Sequence, residues 1–345
     1  MMPKFEMLIF GLKRHLFFLI ALLVIYLLTA CKSDKERDLH VDVSKIVVDD
    51  VNIRRYEQAL FTIHPDTLQA GLKAIAPQFP VFLDVDLDDT LNIIQLRNFV
   101  TDPVNIDLYE KVSEKYADLQ LIENEFSDAF RHFLYYFPDK EITAITSYVS
   151  GLMYELPVQF FDKQMIIALD MYLGDDPEIY RKFRFPLYRI ERMRREYIVR
   201  DGIYDFYYYH FIKKPGENFL EKAISNGKQL YFMDAVMPDL PDHIKIGFPE
   251  EKLQWCFENE QNIWAFLVQN DLLYASDAVT LRKFFADGPF TSQFGQQSPA
   301  RIGEWIGWQI VRSYMNNNRK ITLRELIEND DFQSLFKASA YKPER

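Results

Sequence analysis

Two histidines one helical turn apart, with a glutamate beside the first, would let both imidazoles reach one zinc ion while the carboxylate deprotonates its water. The six histidines, His15, His40, His64, His132, His210 and His243, contain no such pair. His210 among tyrosines and His243 beside Asp242 read as structural residues. The turns that mark nucleophilic serines, phosphate loops and dinucleotide folds are also missing, so the sequence implies no cofactor, no resident metal and no assigned catalytic residue. Carboxylates remain. Glu155, Asp162, Asp170 and Glu196 are the acids that could serve an envelope hydrolase with a hard cation, provided the fold brings them together. Asp170 interrupts the apolar run Met165 to Leu173, where a carboxylate must face an arginine, turn to solvent or hold a cation.

A different chemistry is written at Cys31. Lys4, Lys13 and Arg14 precede the apolar run Leu16 to Leu28, which is short for a membrane span and has the length of a signal-peptide core. Leu28-Thr29-Ala30-Cys31 resembles a bacterial lipobox, where small residues admit the peptidase and the cysteine thiol carries lipid. Residues 1–30 are then a signal peptide, 31–50 a charged tether, 51–330 one globular domain or two packed lobes, and 331–345 a tail. The lipobox places the protein in the cell envelope, with membrane lipid as one partner through acylated Cys31.

Losing residues 1–30 removes three cations and one acid, which takes the formal charge of −11 to about −13. Such a surface repels phosphate, so nucleic acid is not an expected partner. With Cys31 acylated, Cys256 has no intrachain partner, and stability must come from a core that 29 Phe and 20 Tyr can build.

Helices dominate the first third. Asp66 can cap a helix over Thr67–Ala76, Asp88 or Asp89 one through Phe99, and Pro103 starts another before Tyr116. Phe126, Phe130, Phe133 and Phe137 line one face of a helix over Glu123–Phe137. Between 141 and 173 β-branched and aromatic residues without helical period predict two or three strands, giving an α+β, predominantly helical fold with a small sheet.

Arg181 to Arg200 holds eight Arg and Lys against Glu191 and Glu196, and reads either as a polyanion or headgroup site or as a helix whose basic face pairs with acids. Asp201-Gly202 is expected to end it. Helices over Asn218–Asn226 and Lys228–Val236 are expected to break at Gly227, one helix covers Glu250–Val268, and Ser298-Pro299 is expected to cap one over Ala300–Met315. Thr322 caps a last helix through Ile327.

The stretches IALDMYLGDD, NGKQLYFMDAVMPDLPDHIKIGF, WCFENEQNIWAFLVQNDLLY and GPFTSQFGQQSPARIGEWIGWQIVRSYM resemble the gliding-motility lipoprotein GldB family of Bacteroidetes over nearly the whole mature chain. The resemblance implies a non-catalytic outer-membrane lipoprotein with envelope protein partners in gliding and its linked secretion machinery. It also implies a distant likeness to zincin-type metallopeptidases, with Arg195 to Val199 in the place of a His-Glu-x-x-His motif and Asn226-Gly227 in that of a Glu-Gly pair. Both histidines would be lost and Glu196 alone retained.

Overall fold

The computed structural model describes residues 37–153, 155–161, 163–174, 177–211 and 215–343. Cys31, the signal peptide and Asp162 lie outside them. The chain divides into units Met1–Asp38 and Leu39–Arg345. Among the described residues the buried core belongs to the second unit, which is α+β and predominantly helical, as the sequence implies.

A four-stranded sheet stands at one side of the core. Strand β1 (Arg54–Arg55) leads directly into helix α1 (Tyr56–Phe61). Helix α2 (Gln120–Tyr136) presents Ile122, Phe126, Ala129, Phe130 and Phe133 inward, as its three- and four-residue spacing requires, and its Glu123 accepts the Ile53 N–H at 2.8 Å. Strands β2 (Ala144–Tyr148), β3 (Val158–Phe161) and β4 (Gln164–Ala168) complete the sheet in the order β1-β2-β4-β3. The first three are parallel, with Thr146 opposite Ile166, and β3 runs antiparallel at the edge, with Phe160 opposite Met165. β4 is buried along its whole length, which is why it reads as an unbroken apolar run.

Helix α3 (Tyr197–His210) packs on β3 and β4. It does not end at Asp201-Gly202: a Cβ on Gly202 would lie 2.7 Å from the Phe126 ring, so this glycine permits α2 and α3 to approach. The basic run before it is not one helix either. It forms helical turns at Pro177–Lys182 and Leu187–Ile190 before α3 begins.

The centre of the unit is the crossing of α4 (Phe219–Val236) and α5 (Ile302–Asn317). α4 is continuous through Gly227, where the sequence predicts a break. A Cβ there would meet the Gly307 carbonyl oxygen at 2.2 Å, and one on Gly307 would meet the Ala223 oxygen at 1.7 Å. The glycines exist for contact between backbones. α5 starts later than expected, with Arg301 as its N-cap in the left-handed region (φ 56°), because the Ser298 hydroxyl instead bonds Gly295 O and Thr291 O. The helix expected over Glu250–Val268 is two, Glu250–Glu258 and Glu260–Gln269, meeting at Asn259.

Both ends of the unit differ from the sequence expectation. Leu39 and Val48, expected in a tether, pack against the core, and His40 Nε2 lies 3.2 Å from Asp239 Oδ1. Residues expected as a tail form helix α6 (Phe332–Ser339), which packs on α5 and buries Leu335 completely, because Phe332, Leu335 and Phe336 share one face.

Candidate functional site

The acids singled out from the sequence lie in separate places. Asp170 is fully buried in the turn Leu169–Tyr172 that follows β4. Its partner is neither an arginine nor solvent: the carboxylate accepts the Ser150 N–H at 2.9 Å, the Ser150 hydroxyl at 2.9 Å and the Leu152 N–H at 2.8 Å. It holds a loop in which Leu152 itself takes a positive φ of 66°. Burial pushes the Asp170 carboxyl up from the usual range, against the pull of the donors from Ser150 and Leu152.

Glu196 opens onto a cavity of about 370 Å³ between α2 and the end of α4, lined also by Glu125, Asp128, Arg195, Val236 and Asp239. Arg195 donates to Glu125 Oε1 at 2.8 Å. Both Arg195 and Glu196 precede the first turn of α3, so they do not share a helical face with Val199 in the way that a His-Glu-x-x-His helix requires. Gly227 of the pair likened to Glu-Gly faces Gly307 instead.

Glu155 belongs to a second cavity of about 280 Å³, beside the start of β3. Four residues of α3, Arg200, Asp201, Tyr204 and Asp205, line it as two pairs four residues apart, Arg200 with Tyr204 and Asp201 with Asp205, which are neighbours on the helix surface. Arg200 donates Nε and Nη2 to Lys245 O at 2.9 and 2.7 Å and Nη1 to Asp201 Oδ1 at 2.9 Å, and its guanidinium lies 4.3 Å from the centre of the Tyr204 ring. The Tyr172 hydroxyl donates to Asp201 Oδ2 at 2.8 Å. One turn on, the Asp205 carboxyl is pushed up to about 7, by burial first and then by the charge of Asp201.

The opposite wall gathers arginines on one acid. Asp287 lies 2.5 Å from Arg192 Nη2, 3.6 Å from Arg301 Nε and 3.7 Å from Arg189 Nε. Burial alone would raise its carboxyl, but Arg192 and Arg301 outweigh burial and hold it below the usual range. Arg301 is 8% exposed and also binds Glu304 Oε2 at 2.7 Å and Ile246 O at 2.8 Å. Arg192 and Asp287 also line a third cavity, of about 180 Å³, beside Gly247 and Arg301.

The cleft is therefore zwitterionic, with its arginines engaged by carboxylates and backbone carbonyls. Asp205 is the group able to exchange a proton near neutrality. Among the described residues no group of three or more His, Cys, Asp or Glu side chains is placed to hold a metal ion. Cys256 is buried, and burial raises its thiol far above the reactive range, as befits a core residue. Sequence reasoning missed Arg200, Asp201, Tyr204, Asp287 and Arg301 as a site. Their only signal was the helical spacing of the first three and the presence of the last two in or beside the block GPFTSQFGQQSPARIGEWIGWQIVRSYM.

The family model described as gliding motility protein GldB matches residues 36–343. No curated protein and no solved structure matches the chain.

Proposed function

Because the chain belongs to the gliding motility protein GldB family, we propose that it is a non-catalytic lipoprotein of the cell envelope, held in the outer membrane by acylated Cys31, that supports gliding motility and the associated secretion machinery. The observation that carries this reading is the extent of the match, which begins five residues after Cys31 and runs to residue 343. On this reading a family domain follows directly behind the lipobox-like stretch Leu28–Cys31. The separation of Glu155, Asp170 and Glu196 into two cavities and a buried turn favours a binding role over the hydrolase that would need them together. Its partners on this reading are membrane lipid and envelope proteins.

The test is mass spectrometry of the membrane-fraction protein, together with complementation of a strain lacking it. Acyl chains on Cys31, loss of membrane attachment and of gliding in Cys31→Ser, and retained gliding in Glu155→Gln and Glu196→Gln are the expected results. An unmodified Cys31 would overturn the lipoprotein assignment. Loss of gliding in a folded, correctly located Glu155→Gln or Glu196→Gln variant would overturn the non-catalytic one.

A further inference from the structure

The basic run Arg181–Arg200 is only partly absorbed by the cleft. Arg189 and Arg192 face Asp287, Arg195 binds Glu125 and Arg200 binds Asp201. Arg181, Lys182, Arg184 and Arg194 are exposed and pair with no carboxylate among the described residues. Within Arg181–Arg200 they outnumber the exposed acids Glu191 and Glu196. In a chain of formal charge −11, four such cations are a local reversal of sign.

The same stretch exposes large apolar side chains. Between the helical turns Pro177–Lys182 and Leu187–Ile190 the chain makes a corner, with Arg184 in the left-handed region (φ 59°). Phe185 tucks inward and stacks on buried Tyr180 at 5.7 Å, which leaves Phe183 and Leu187 outward, 47% and 64% exposed. The corner is firmly mounted, since the Tyr180 hydroxyl donates to Asp170 O at 2.8 Å and accepts the Leu173 N–H at 2.8 Å. Exposed Phe and Leu flanked by unpaired Arg and Lys match a bilayer interface, where apolar tips enter below the headgroups and cations meet anionic lipid.

We infer that the corner Arg181–Leu187 is a second membrane contact that docks the body on a bilayer containing anionic lipid. Binding by this patch does not rest on the proposed lipid anchor.

The unit Leu39–Arg345 carries the core, so it can be tested without Cys31. It is sedimented with vesicles of phosphatidylcholine alone and of phosphatidylcholine with phosphatidylglycerol. The expected result is binding to the anionic vesicles that weakens with salt, falls about five-fold for each cation removed, and is therefore lost in R181E/K182E/R184E. Phe183→Ala with Leu187→Ala should also weaken it while charge is intact. Unchanged thermal midpoints show that the variants fold. No binding by the wild type, or equal binding by the triple variant, overturns the inference. Retention on heparin without vesicle binding would make the patch a polyanion site and overturn the lipid assignment. Because the lipid anchor is absent, none of these outcomes depends on whether Cys31 is acylated.

Discussion

Gly227 and Gly307 touch through their backbones: a Cβ on Gly227 would lie 2.2 Å from the Gly307 carbonyl oxygen. Backbone cannot swing aside as a flexible side chain can, so the two helices would have to separate to admit a methyl group. Gly227→Ala should gain up to about 1 kcal/mol of helix propensity and lose more, about 3 kcal/mol, to overpacking. Gly307→Ala, with its 1.7 Å contact, should cost at least as much. Urea unfolding of the two variants checks this, and a stabilised Gly227→Ala would contradict the crossing.

Removing a buried acid should be worse than removing its partners. Asp234 is 4% exposed and accepts Lys245 Nζ at 3.0 Å, Trp308 Nε1 at 2.8 Å and two nitrogens of Arg312 at 2.8 Å. Asp234→Ala leaves Arg312 and Lys245 to Asp242 alone and the Trp308 N–H without its acceptor, and the expected loss is about 3 kcal/mol. Trp308→Phe, which forfeits one hydrogen bond and some buried volume, should cost about 2 kcal/mol, as paired chemical denaturation would show.

Asp205 sets a pH dependence whose sign is opposite to that of a salt-bridged acid. Its carboxyl is raised from 3.8 to about 7 in the folded protein, so the native state holds a proton that the unfolded state has released. Its contribution is complete below about pH 4 and lost as pH rises to about 7. Asp205→Asn keeps the shape without the charge. It should flatten stability across that window and be the more stable protein at pH 8, as thermal unfolding in matched buffers will measure.

Helix α6 is predicted to be essential. Truncation after residue 330 removes Leu335, and also Ser339, whose carbonyl accepts Ser313 Oγ and Asn317 Nδ2 at 2.8 Å. Leu335→Ala should cost about 2–5 kcal/mol, and the truncation should fail to give a cooperatively unfolding protein by circular dichroism.

What could be read in the sequence was local. The aromatic period of α2 and the apolar run of β4 carry their own evidence, because one face or two faces of an element are buried wherever its neighbours come from. Asp170 stood out as an acid inside an apolar run, but its three donors come from the loop after β2, which no spacing announces. Gly227 was read as a breaker because a lone glycine has the same letter whether a helix stops there or another crosses it, and the partner that decides is Gly307. The arginines of 181–200 looked like one basic helix for the same reason. Asp287 and Glu125, which take up three of them, lie far away in the chain. The cleft formed by Arg200, Asp201, Tyr204 and Asp287 is a product of that long-range pairing.

The α4 and α5 crossing also imposes an order of events. Synthesis and export both deliver a chain from its amino end, and here the helix that completes the centre of the core begins at Ile302. Until it arrives, α4 has fifteen residues destined for burial and no partner for its glycine face. A nascent chain therefore leaves that face exposed until α5 has been made, open to aggregation. The centre of the body closes only when a helix well down the chain reaches one made before it.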